Sequence, residues 1–81
     1  MADISATFTN KYGESRKWVI LDLGRDKNAP PVIFNDYLDV DQSTPALTVY
    51  SDGWHGTVQY VRSDGAPTNV DVSDGDNVSM G

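Results

Sequence analysis

Apolar and polar residues alternate with a period of two along much of this chain. Ile4, Ala6 and Phe8 alternate with Ser5, Thr7 and Thr9. In a strand, successive side chains point to opposite faces, so this pattern predicts an amphipathic strand at the start. Residues 56–62 place Val58 and Tyr60 on one face and Thr57, Gln59 and Val61 on the other. Residues 68–73 separate Val70 and Val72 from Asn69 and Asp71, and residues 77–80 set Val78 and Met80 together. Residues 17–23 are apolar on both parities apart from Asp22. That pattern predicts a central strand covered on both faces. Residues 32–34 form a short strand. Asn35-Asp36 then either turns into a further strand at 37–40, or 32–40 is one bent strand. Residues 46–50 supply another. No window of ten residues carries a helical stripe.

The breaks between these runs have turn chemistry. Ser-Asp-Gly occurs at 51–53, 63–65 and 73–75. Asp-Gly suits the type I′ hairpin turn, which needs positive φ at both central residues. The last third therefore reads as an antiparallel meander of four strands. Residues 10–14 read as a turn. Residues 41–45 form a loop, and so do 25–31, whose two prolines cannot donate to a ladder. The sum is about seven short strands at spacings of roughly 8–12 residues. It predicts one all-β domain over 1–81, a small antiparallel β-sandwich with Greek-key or meander connections. The C-terminal strand is a candidate edge strand, and an open edge can pair with another chain. A homodimer through that edge is the expected self-association.

Composition sharpens this reading. Eleven of the twelve acids are Asp and one, Glu14, is Glu; Val outnumbers Leu nine to four. Asp favours turns and Glu favours helix interiors, so the bias fits strands joined by turns. The absence of cysteine excludes disulfides, Cys-ligated zinc and thiol chemistry. The formal charge is −6, distributed as +1 over residues 1–28 and −7 over residues 29–81. Nucleic-acid binders need a basic stripe, so no nucleic acid is expected as a partner. The longest apolar run, residues 18–21, is far short of the ~20 residues of a membrane span. Residues 1–5 carry neither a basic nor an apolar leader pattern. The expected location is cytoplasmic, or exported without a standard signal peptide.

Three groups of residues are candidates for chemistry. His55 is the only histidine. No Gly-x-Ser-x-Gly elbow accompanies it, and four of the seven serines lie in turns or loops. No catalytic residue is assigned, and the chain is not read as an enzyme. Asp36, Asp39 and Asp41 cluster within six residues, and calcium takes loop carboxylates as ligands. If a strand ran on through Asp41, Asp39 and Asp41 would share a face about 7 Å apart. Calcium is thus the candidate cofactor, with turn formation as the plainer role for these acids. The third group is the aromatic turn at residues 50–56.

That turn supplies the candidate ligand-binding residues Tyr50, Asp52, Trp54 and His55. An exposed ring gives large contact area at low entropic cost. It can stack on the C–H face of a sugar while a carboxylate accepts hydroxyl protons. Residues 50–56 are near the Greek-key signature of the βγ-crystallins, but their spacer is one residue short and the accompanying Asp/Asn-Ser element is missing, so nothing is carried over. The expectation is a non-catalytic recognition module, a glycan- or surface-binding (lectin-like) sandwich whose partner is a glycan or a protein surface. The alternatives are a structural or assembly subunit of a phage or secretion apparatus, or an acidic inhibitor- or immunity-type module that binds protein.

Overall fold

A computed structural model describes residues 3–81. Met1 and Ala2, part of the start read as leaderless, lie outside the described residues. The described chain is all β. Its seven strands are β1 (Asp3–Asn10), β2 (Arg16–Asp22), β3 (Val32–Leu38), β4 (Leu47–Tyr50), β5 (Gly56–Arg62), β6 (Thr68–Val72) and β7 (Asp76–Met80). They form a three-stranded sheet in the order β4-β1-β7 and a four-stranded sheet in the order β3-β2-β5-β6. All neighbours are antiparallel except β1 and β7, which pair in parallel. No helix of the described residues is long and apolar enough to cross a membrane.

The core lies between the sheets and draws on every strand. Ala6 and Phe8 of β1, Val49 of β4 and Met80 of β7 meet Trp18 and Ile20 of β2, Leu38 of β3, Val58 of β5 and Val72 of β6. Ala6, Phe8, Val58, Val72 and Met80 sit on the apolar faces read from the sequence; Trp18, Ile20, Leu38 and Val49 had no single inward face there. Nine fully buried apolar side chains make a thin core, as expected of so short a chain.

The connections depart from a meander. Within one sheet, consecutive strands pair only as β2–β3, across the long 23–31 loop, and as β5–β6, across a short one. The Ser-Asp-Gly turns at 51–53 and 73–75 instead carry the chain from one sheet to the other. At the second crossing, Asp74 Oδ1 accepts the Ser5 N–H (2.9 Å) and the Gly75 N–H donates to Ser5 O (2.7 Å). These bonds clip the turn to β1, and β7 then runs beside β1 in parallel. Gly75, at φ 83°, holds the left-handed conformation this turn requires. The hairpin turn at 63–65 has no positive φ, so it is not the expected type I′. Its loop spans the five residues between β5 and β6 and begins with a Gly65 N–H to Arg62 O bond (3.0 Å).

Two further expectations change. Residues 32–38 are one strand with no turn at Asn35-Asp36, and its pairing with β2 shifts between Ile20 and Leu21. β2 is central, as read, but it is covered on one face only. Trp18 and Ile20 are buried inward, whereas Val19 and Leu21 point outward and stay partly exposed. The described residues form two sheets, and no third layer of strand or helix lies over this outer face. β7 is an edge strand, in agreement with the sequence, as are β4, β3 and β6.

Candidate functional site

The aromatic turn lies at one end of the sandwich, where β4 passes into β5. Asp52 builds it. Its Oδ1 accepts the N–H groups of Trp54 (2.8 Å) and His55 (3.1 Å), and its own N–H donates to His55 O (3.2 Å). The Gly53 N–H reaches Ser51 Oγ (3.2 Å), and Gly53 takes φ 99°. The backbone donors of His55 and Trp54 hold the Asp52 carboxyl below the ordinary carboxylate value. It is therefore ionised at neutral pH. Oδ2 makes no hydrogen bond among the described residues.

An open depression of about 710 Å³ adjoins this turn. Tyr50, Asp52 and His55 line it on one side, and Leu23, Gly24 and Lys27 on another. Its floor is the outer face of the β5–β6 hairpin, where Thr57, Gln59 and Asn69 stand. Gln59 Nε2 donates to Asn69 Oδ1 (3.0 Å), and Thr57 Oγ1 donates to Asp71 Oδ1 (3.2 Å). His55 Nδ1 is 3.2 Å from Gly56 O and 3.8 Å from Asp71 Oδ1. A carbonyl only accepts, so any hydrogen bond in that contact is donated by Nδ1. The Arg25 guanidinium lies 5.6 Å from the centroid of the Tyr50 ring, and the Tyr50 backbone N–H donates to the buried Asp22 carboxylate (2.9 Å).

The structure thus brings together three of the four residues expected to bind ligand. Trp54 is on the same turn but does not line the depression; it is 87 % exposed. The floor residues Thr57, Gln59 and Asn69 were not assigned to a site from sequence. Their signal was present, because alternation already placed Thr57 and Gln59 together on one polar face. Lys27 carried no such signal, since only the tertiary fold sets the 23–31 loop beside β5.

Asp36, Asp39 and Asp41 do not converge. β3 ends at Leu38, so Asp39 and Asp41 share no strand face. Asp36 Oδ1 accepts the Tyr37 N–H (2.8 Å). Asp39 sits in a turn closed by the Gln42 N–H on Asp39 O (3.0 Å) and by Gln42 Oε1 on the Asp39 N–H (2.8 Å). Asp41 takes φ 64° and pairs with Lys11 at 3.0 Å. Among the described residues no three acidic or histidine side chains come together as a metal-holding group. Compared with known proteins, the chain matches no family model, no curated sequence and no solved structure.

Proposed function

We propose that this protein is a non-catalytic recognition module that binds a glycan in the depression beside the aromatic turn. The observation that carries the reading is the exposed Trp54 ring next to a cleft lined by both donors and acceptors. A sugar presents an apolar C–H face and a ring of hydroxyls that both donate and accept. The indole offers a stacking surface for the first. Gln59, Asn69 and Lys27 offer donors, and the ionised Asp52 offers an acceptor for the second. The site is tested on a glycan array with the wild type, Trp54→Ala and Gln59→Ala. Binding by the wild type that drops at least tenfold in both variants is expected. An array with no binder, or binding indifferent to both substitutions, overturns the reading.

A second reading, an assembly subunit that joins copies of itself, is favoured by the uncovered outer face of β2 and the open edge of β7. It predicts concentration-dependent sedimentation that is lost in Val19→Lys or on capping β7 with Ser79→Pro. Sedimentation as a monomer at every concentration excludes it.

A further inference from the structure

The larger sheet has two faces, and only one packs against the smaller sheet. On the other, Val19 of β2 stands beside Val61 of β5, and Leu21 of β2 beside Val32 of β3. Tyr37 of β3 follows at one corner, opposite Lys17. Of the four large apolar side chains that stay exposed among the described residues, Val32 and Tyr37 both belong to this face. Apolar residues scattered singly on a surface are ordinary, whereas a contiguous strip across three strands marks a contact surface.

Charge says what kind of contact. The four strands send two charged side chains to this face, Lys17 and Asp71. Lys17 makes no ion pair among the described residues, unlike Lys11, Arg16, Arg25 and Arg62. Asp71 is exposed; its Oδ1 accepts from Thr57 Oγ1 (3.2 Å) and lies 3.8 Å from His55 Nδ1. The two charges stand at opposite corners. Lys17 is near the start of β2, and Asp71 is two strands away on β6, level with Thr57 and so with the far end of β2. They are about 20 Å apart, too far to pair within one copy. One cation and one anion at opposite corners of an apolar strip make a surface complementary to itself. A two-fold interface requires this, because each residue meets on the second copy the residue that meets it.

We infer that this face is a two-fold interface with a second copy of the chain, Lys17 of each copy pairing with Asp71 of the other across the apolar strip. The inference rests on the self-assembly reading and deepens it. It assigns the contact to the outer face and not to the β7 edge, and it makes closed pairs and not open chains. The axis crosses β5 between Gln59 and Val61, midway between the two charges. The outer faces of two copies then stack as sheets do in a sandwich. Four strands about 4.8 Å apart and some seven residues long give roughly 400 Å² per copy, about half a standard stable interface. Association is therefore weak and rises with concentration. It covers Gln59 and Asn69, so the dimer competes with a ligand in the depression.

The test is sedimentation equilibrium of the wild type, Lys17→Asp, Asp71→Lys and an equimolar mixture of the two variants. Both positions lie on the surface, so both variants should fold, which circular dichroism melts check. The wild type is expected to show a monomer–dimer equilibrium. Each variant alone should dimerise at least tenfold more weakly, because both corner pairs then set like charges together. In the mixture each Lys17→Asp chain can meet an Asp71→Lys chain, both pairs are again opposite in sign, and wild-type affinity should return. Dimers that ignore both reversals overturn the proposal; if Ser79→Pro abolishes those dimers, the self-assembly reading stands through the β7 edge. Species that grow beyond the dimer, or a mixture no tighter than its components, also overturn the proposal. A wild type that stays monomeric from about 10 μM to about 1 mM overturns the proposal and the self-assembly reading together.

Discussion

Gly56 of β5 packs tightly against β4. A Cβ built there would lie 2.6 Å from Val49 Cγ1 and 2.7 Å from Tyr50 O. The second neighbour is backbone, so the strand itself must shift. Gly56→Ala is expected to cost about 1–3 kcal/mol, the range of overpacked cores. In a domain of this size that lowers Tm by at least about 4 °C, readable by calorimetry. Asn10 plays a comparable part at the other end of the sandwich. Fully buried, it donates from Nδ2 to Glu14 O (2.8 Å) and Leu38 O (3.0 Å) and accepts the Tyr12 N–H at Oδ1 (2.9 Å). Its side chain thus stands in for a ladder that the turn after β1 cannot make. From sequence, Asn10 is merely the first residue of a turn, since nothing in a local pattern marks an amide as buried. Asp22 is similar: read as the polar close of an apolar strand, it is a buried anchor bonded to Tyr50 N and to Arg25 Nε (3.3 Å).

At the scale of elements, β2 separates the two ways an apolar run can arise. Its inward residues fill the core, and its outward residues Val19 and Leu21 have no strand or helix above them. Ile20→Ala should cost about 2–5 kcal/mol, as core truncations do. Val19→Ala should cost less than about 1 kcal/mol, a contrast measured by urea unfolding of the two variants. Equal losses would show that the outer face is covered in solution. β3 carries its own edge protection. Asp36 stands on the inward parity opposite Trp18, and its carboxylate caps the Tyr37 N–H. An inward-pointing charge on an edge strand discourages pairing with another chain. The alternation of β1, β5 and β6 was legible because each has one dry and one wet face. The course of 32–40 was not, because Asn35-Asp36 suits a turn locally and only pairing with β2 keeps it extended.

Across the whole molecule, each Ser-Asp-Gly turn places an Asp between two strands, at Asp52, Asp64 and Asp74. Donors from the His55 and Trp54 backbone depress Asp52, and the Arg62 side chain, then Arg16, depress Asp64. A carboxyl whose folded pKa lies below its unfolded value contributes stability above the unfolded value, near 3.8 here. That contribution is lost as pH falls through the lower folded value. Tm should therefore be flat above about pH 5 and fall below about pH 4. Asp52→Asn and Asp64→Asn should each start lower and flatten this fall, a result seen by thermal melts across that range. The same arrangement consumes most of the cations: Lys11, Arg16, Arg25 and Arg62 all pair with acids. The negative charge left over lies on loops and turns and, at Asp36, Asp71 and Asp76, on strands.

The pattern of residues by itself determined that the chain is all β, which side chains of most strands face inward, and where the turns fall. These are local properties, set by the two-residue period of a strand and by the backbone preferences of Asp and Gly. Tertiary structure alone decided which sheet each strand joins, the parallel pairing of β1 with β7 and the bare outer face of β2. It also decided which residues flank the aromatic turn. Each of these depends on contacts between residues distant in sequence, and the same Ser-Asp-Gly turn serves a hairpin in one place and a crossing between sheets in two others.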